Sequence, residues 1–115
     1  MQAMSKEELV KRWVHALTGD LSAFFEICSS DCRVWHSADD KWMSVQAAVD
    51  AAKARGGLPP FDTPRVLMTA SGFAVQTATT VAPVGKLHIV QVATVKDGKV
   101  TAVEEYISPE MQIPG

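Results

Sequence analysis

The chain has 115 residues, a hydrophobic fraction of 47% and a formal net charge of −2 at pH 7, which predicts a single globular domain over residues 1–115. The slightly acidic balance and the absence of a Lys/Arg cluster exclude the electrostatic footprint of a nucleic-acid partner. No apolar run reaches membrane-spanning length, and no basic segment leads into an apolar run at the beginning. We therefore expect a cytoplasmic protein with no membrane partner.

The first part of the chain is predicted to be helical. Ser5 and Glu8 have the spacing of a capping box, in which each side chain satisfies a backbone donor at a helix start. A first helix is therefore expected from Ser5 to about Leu17. Asp20 can cap a second helix over about Leu21–Cys28, which a Ser-Ser-Asp sequence then ends.

A short strand and a third helix are expected next. The segment Cys32–His36 alternates and ends in aromatic residues, which is typical of a strand. The polar segment Ser37–Lys41 is predicted to be a loop. A third helix should run from Ser44 to about Arg55, where Gly56 can adopt the left-handed conformation that often ends a helix.

The second half of the chain is rich in strand signals. The connections between its strands are too short for parallel neighbours, so an antiparallel meander is expected. The Asp97-Gly98 pair between two β-rich segments is a strong hairpin signal. The four predicted strands are about Arg65–Thr69, Phe73–Ala82, Lys86–Val95 and Lys99–Ile107. Three helices followed by an antiparallel sheet define an α+β domain.

The two cysteines and three histidines do not indicate a metal site. Cys28 and Cys32 are four positions apart, which is not a C-x-x-C motif, and no second cysteine pair completes a zinc site. No two histidines have a ligand-like local spacing. We therefore expect two reduced thiols near the core, with no metal and no cofactor.

Two stretches of the chain resemble a known superfamily. KRWVHALTGDLSAFFEICSSDCRVWHS near the start and VATVKDGKVTAVEEYISPE near the end are similar to the opening and closing segments of nuclear transport factor 2-like proteins, which include SnoaL-like and ketosteroid-isomerase-like members. The resemblance implies a cystatin-like, cone-shaped α+β barrel, with three helices packed on a curved antiparallel sheet. It also implies a pocket for a small hydrophobic molecule and a homodimer formed through the outer sheet face.

His36 is the first candidate site residue. If it points into the cone, period-2 alternation places Val34 on the same side as a pocket residue and Trp35 on the other side. The resemblance places His36 where ketosteroid isomerases carry a catalytic carboxylate base. Imidazole can serve as an acid or base near neutral pH. The alternative is a structural histidine at a strand end, half exposed or bonded to the backbone.

Glu105 is the second candidate, with Val103 beside it. It matches a carboxylate that positions water in limonene-epoxide hydrolases, and a carboxylate among apolar residues requires a partner. We therefore hypothesise a His36–Glu105 pair, in which the carboxylate orients the imidazole. The alternatives are a register shifted by one, with Glu104 inward, or a solvated Glu105.

Gln91 is the polar member of an otherwise apolar inward set that includes Ile89. It matches an acidic hydrogen-bond donor of the ketosteroid isomerases, and Trp13 matches their first-helix tyrosine. An amide and an indole both donate hydrogen bonds, so these residues are predicted to bind the substrate by altered chemistry. Gln76 and Thr80 are predicted to form a mildly polar pocket wall, and they lack the acid of an epoxide hydrolase.

Three functions are compatible with these residues. The first is a cofactor-independent isomerase, dehydratase or cyclase that uses His36 as acid or base on a small apolar substrate. The second is a non-catalytic binder of a small hydrophobic molecule. The third is an interaction module that uses the outer sheet face as a dimer or partner surface, with Trp35 and Trp42 lining either the mouth of the pocket or a dimer face.

Overall fold

The computed structural model describes residues 4–113, in which three helices pack on one face of a six-stranded sheet. The predicted α+β class is confirmed. Among the described helices, none is long and apolar enough to cross a membrane.

The first helix, α1, spans Lys6–Gly19. The Ser5 hydroxyl accepts a hydrogen bond from the Glu8 backbone N–H at 3.1 Å, as a cap should. The Glu8 carboxylate pairs instead with Arg12 at 3.2 Å, one turn further along. Only half of the predicted capping box is therefore formed.

The second helical segment is shorter and less regular than predicted. It consists of a 3₁₀ turn at Leu21–Ala23 followed by α2 at Phe24–Ile27. Cys28 has an extended backbone and begins the first strand, because it pairs with Val100 in the sheet. The third helix, α3, spans Val45–Ala54.

The sheet has strand order β2-β1-β6-β5-β4-β3. Strands β1 and β6 are parallel, and all other neighbouring pairs are antiparallel. The predicted hairpin is confirmed, since Asp97 and Gly98 link β5 to β6 with φ values of 52° and 73°. The six strands are β1 Cys28–His36, β2 Lys41–Ser44, β3 Arg65–Thr69, β4 Gly72–Val81, β5 Gly85–Lys96 and β6 Lys99–Pro109.

Strand β2 was not predicted. The polar segment expected to be a loop is a tight turn, in which the Asp40 N–H donates to the His36 carbonyl at 2.9 Å. Asp40 has φ 54°, a conformation that Asp tolerates better than most residues. The turn folds Lys41–Ser44 back along β1, so that Trp42 pairs with Trp35.

The hydrophobic core lies between the helices and the inner face of the sheet. Its largest fully buried side chains include Leu9, Ile27, Phe73 and Val103. Trp13 contacts Phe73 edge-on with ring centroids 5.9 Å apart. The opposite face of the sheet is not covered by any described helix and carries exposed aromatic residues.

Candidate functional site

Two cavities lie between the helices and the inner face of the sheet, and they share a wall. The inner cavity has a volume of about 110 Å³ and the outer cavity about 400 Å³. The inner lining is mostly apolar. Residues with polar side chains that line both cavities are His36, Arg55, Gln91 and Glu105.

Three of these residues form a row across adjacent strands. Glu105 on β6 pairs with His36 on parallel strand β1 and with Gln91 on antiparallel strand β5. Ser37 fastens the end of β1 to β6, because its N–H donates to the Glu105 carbonyl and its hydroxyl accepts from the Ile107 N–H, both at 2.9 Å. Directly paired residues present their side chains on the same face, so the row is a consequence of register.

A hydrogen-bond chain holds the Glu105 carboxylate. The Trp13 indole N–H donates to Gln91 Oε1 at 2.8 Å, and Gln91 Nε2 donates to Glu105 Oε2 at 2.7 Å. Because indole can only donate, it determines which end of the amide faces Glu105. Trp13 and Gln91 are 4% and 8% exposed, so this orientation is shielded from competing water.

His36 lies at the other side of the carboxylate. Its Nε2 is 3.8 Å from Glu105 Oε1, which is too long for a hydrogen bond but within ion-pair range once the ring is protonated. The two side chains are 23% and 18% exposed. Near neutral pH an imidazole can in general accept or donate a proton, and this one lines both cavities.

The structure places most of the predicted site residues around these cavities. Val34, Val103 and Trp13 line the inner cavity, and Ile89 lines the outer one. The predicted parity of β6 is confirmed, because Glu104 lies on the outer face, where its carboxylate accepts a hydrogen bond from the Tyr106 hydroxyl.

The predicted position of Gln76 and Thr80 is wrong. They pair with Val90 and Lys86 on the outer face, and neither lines the inner or outer cavity. Val75 pairs instead with Gln91 on the inner face. Burial of the apolar side chains in the first half of β4 sets the parity, and strict alternation then directs Gln76 outward.

The inward polar residues of β4 are Thr77 and Thr79. Their hydroxyls donate to the carbonyls of Asp62 and Pro60, each at 2.7 Å. These hydrogen bonds hold the proline-containing segment between α3 and β3 against the sheet. Thr79 also lines the outer cavity. Nothing in the local sequence distinguished these threonines from the outward Thr80.

The interpretation of Trp13 and Gln91 as direct donors to a ligand requires correction. The single indole donor is engaged by Gln91, and one of the two amide N–H groups is engaged by Glu105. Only the second amide N–H remains as a donor toward the cavity. Together the pair positions the carboxylate.

Arg55 was missed as a site residue. The sequence placed it only at the end of the third helix, where a cation suits the helix dipole. The structure places it in the lining of both cavities. The only local signal was the position of Arg55 at a helix end, which does not indicate which residues of the sheet line the same cavities.

Of the remaining chemistry-bearing residues, Cys28 lines the inner cavity, whereas Cys32 lines neither the inner nor the outer cavity. Cys28 and Cys32 are both unpaired and buried. A hydrogen bond with Cys32, reinforced by burial, raises the pKa of the Cys28 thiol. His15 lies outside the two cavities, and His88 Nε2 lies 3.0 Å from a Glu110 carboxylate oxygen on the outer face. Within residues 4–113, no cluster of three or more His, Cys, Asp or Glu side chains is arranged to hold a metal ion.

Comparisons with known proteins identify the fold. No protein-family model matches the sequence, and no curated protein matches it. An NTF-2 like protein of unknown function from Burkholderia xenovorans LB400 superposes with a TM-score of 0.80 and 17% identity, covering 96% of this chain and 88% of the other.

Two further solved structures carry more specific descriptions. A proposed ketosteroid isomerase from Kribbella flavida DSM 17836 has a TM-score of 0.76 and 18% identity, covering 96% of this chain and 82% of the other. A proposed SnoaL-like polyketide cyclase from Mesorhizobium loti has a TM-score of 0.68 and 19% identity, covering 90% and 99%. The resemblance to the nuclear transport factor 2-like superfamily is thus confirmed at the level of the fold, which hosts several activities.

Proposed function

We propose that the two cavities bind a small, largely apolar molecule, and that His36 acts on it as general acid and base without a cofactor. Isomerisation, dehydration and cyclisation are the reactions that such a group can promote. The observation that carries the proposal is the row of His36, Glu105 and Gln91 in the wall shared by two mostly apolar cavities.

The lining supports an apolar ligand of limited size. The inner cavity is bounded mainly by side chains such as Trp13, Phe24, Val34 and Val103. A buried apolar cavity of roughly 150 Å³ accommodates benzene, so the inner cavity fits a group of about one ring or smaller. The rest of the ligand would occupy the outer cavity, with its reacting atoms beside His36.

The hydrogen-bond chain supports a proton-transfer role. Neutral His36 would accept a proton from the ligand, and the Glu105 carboxylate would stabilise the resulting imidazolium. Gln91 holds that carboxylate in place through a 2.7 Å hydrogen bond. The charge partner is therefore oriented before a ligand binds, which is the condition for effective electrostatic stabilisation.

Solvent deuterium exchange tests this chemistry without requiring the natural substrate. Steroid, terpenoid and polyketide-like ketones would be incubated with the protein in D₂O, and deuterium incorporation next to the carbonyl would be followed by NMR. His36→Gln should lower the exchange rate by about 10²–10⁴-fold.

His15→Gln is the matched control, because His15 is exposed and lines neither the inner nor the outer cavity. Equal exchange rates in wild type and His36→Gln would contradict the catalytic proposal. Exchange no faster than in buffer for every ketone would also contradict it.

Non-catalytic binding is the second candidate. The 3.8 Å gap between His36 and Glu105 and the engagement of Trp13 by Gln91 support it, because they leave few groups free to stabilise a developing negative charge. Ligand-induced chemical-shift changes at Val34 and Val103 without any turnover would favour this function over catalysis.

The outer face of the sheet supports a proposed homodimer. Trp42 is 49% exposed there, and Tyr106 packs edge-on against Trp35 with ring centroids 5.2 Å apart. Aromatic residues of this kind are enriched at protein interfaces.

The two unpaired cysteines also support a reducing compartment such as the cytoplasm.

A further inference from the structure

Arg55 is held by the backbone at a defined position beside both cavities. It caps the end of α3, where its N–H donates to the Ala51 and Ala52 carbonyls. Gly56 then turns the chain with φ +91°, and the Gly57 N–H donates to the Ala52 carbonyl at 2.8 Å. This helix ending directs the chain away after Arg55, so the residue remains at the wall that the two cavities share.

The guanidinium has no partner within the part of the chain that the structure describes. Arg55 takes part in neither an ion pair within 4.0 Å nor a side-chain hydrogen bond there. Glu105 lines the same two cavities and is held instead by Gln91. An exposed arginine without a protein partner and a carboxylate held by Gln91 thus belong to residues that line the same two cavities.

We infer that Arg55 determines specificity by binding an anionic group of the ligand, so that the preferred substrate class is an apolar molecule carrying a carboxylate. The inference rests on the proposed function, because it concerns the same cavities. A guanidinium can form two parallel hydrogen bonds to a carboxylate, which provides orientation as well as attraction. A ligand anchored there would direct the far end of its apolar part, about one ring in size, past His36 into the inner cavity.

Glu105 is the other charge that lines both cavities, and it disfavours an anion beside His36, so the ligand carboxylate would bind at Arg55 and away from Glu105. Asp39 is exposed and lines only the outer cavity, so it disfavours an anion near the opening and not at the shared wall. Lys53 lies on the same helix as the Arg55 cap and lines neither the inner nor the outer cavity. It borders a neighbouring cleft, which shares Leu17 and Leu58 with the two cavities but not Arg55, and it therefore offers a matched cation for comparison.

Calorimetric binding of 2-naphthoate and 2-naphthamide tests the inference, since the two probes differ in charge but scarcely in shape. His36→Gln controls for the imidazole, and a preference for the acid that depends on Arg55 should persist in that variant. Wild-type protein should bind naphthoate about fivefold or more tightly than naphthamide.

Arg55→Gln should abolish that preference by weakening naphthoate while leaving naphthamide unchanged, which would also show that the cavity is intact. Arg55→Lys should retain part of the preference, and Lys53→Gln should retain all of it. Equal binding of both probes to wild type, or a preserved preference in Arg55→Gln, would overturn the inference and leave the proposed cavity function standing. Failure of both probes to bind, with no NMR shift changes at Val34 and Val103, would overturn both.

Discussion

The two hydrogen bonds that join Trp13, Gln91 and Glu105 can form in only one donor-to-acceptor order. Indole supplies one donor, the amide supplies one acceptor and two donors, and the carboxylate accepts. The observed bonds of 2.8 Å and 2.7 Å are compatible with a single arrangement. Loss of the indole donor of Trp13 should therefore alter the position of the Glu105 carboxylate at the other end of these hydrogen bonds.

Trp13→Phe removes the donor and reduces the ring size. We expect the variant to lose about 2–4 kcal/mol of stability, because a buried amide oxygen loses its partner and a cavity forms. The amide of Gln91 would no longer be oriented, so proton exchange should fall more than ligand affinity. Urea unfolding and the deuterium-exchange assay measure the two effects.

Trp42→Phe is the control for this change, since Trp42 is half exposed on the outer face. At a protein concentration too low for the proposed dimer to form, its stability should stay within about 0.5 kcal/mol of wild type. A Trp13→Phe variant as stable as Trp42→Phe would contradict the importance of the indole hydrogen bond.

Glu105→Gln tests the charge partner of His36. An amide can still accept from Gln91 but cannot stabilise an imidazolium by charge, so proton exchange should fall by about tenfold or more with little change in naphthamide binding. Glu104→Gln is the matched control on the opposite face of the same strand. Loss of exchange activity in Glu104→Gln but not in Glu105→Gln would contradict the assigned register.

Strand β6 is the element on which the site depends. It pairs in parallel with β1 and antiparallel with β5, so its register brings residues from distant parts of the chain to one row. The hairpin between β5 and β6 has its turn at Asp97 and Gly98. Changes that shift these ladders should therefore disturb the site without touching any site residue.

Gly72→Ala would disturb the neighbouring β4–β5 ladder, which holds β5 on its other side. A Cβ at this position would overlap the Ala93 carbonyl oxygen of β5, so the strands must separate locally. We expect a loss of more than about 2 kcal/mol in urea unfolding. Gly19→Ala is the control, because its Cβ would meet nothing within 4 Å, and it should be neutral or stabilising by up to about 1 kcal/mol. Equal stabilities would contradict the close approach.

At the scale of the whole molecule, the exposed outer face of the sheet is the feature that predicts assembly. We expect wild-type protein to sediment as a dimer, because a chain of 115 residues buries only about two-thirds of its unfolded surface by itself. Trp42→Lys should shift it to a monomer, because a charge would enter an apolar contact. Lys41→Ala, the neighbouring position on β2, should leave the dimer intact, and a monomeric wild type in sedimentation would exclude this interface.

Much of the secondary structure could be predicted from the sequence because its signals are local. Helix caps, the Asp97-Gly98 turn and the alternation of β6 act within a few residues of one another. The same alternation placed Glu105 and Glu104 on opposite faces, but the family resemblance and not the alternation suggested that Glu105 is the inward one. The prediction failed at β2, where the preceding segment is polar. It also failed at Gln76, where the local sequence of β4 did not indicate which of its two faces is buried.

The sequence alone thus determined the α+β class and the order of the elements other than β2, and its alternation divided the residues of β1 and β6 between two faces. Only the tertiary structure decided that His36, Glu105 and Gln91 form one row, that Trp13 binds Gln91 and that Arg55 joins the same cavities. The physical reason is that side-chain alternation has a period of two along one strand, whereas register between strands is set by packing across the entire sheet.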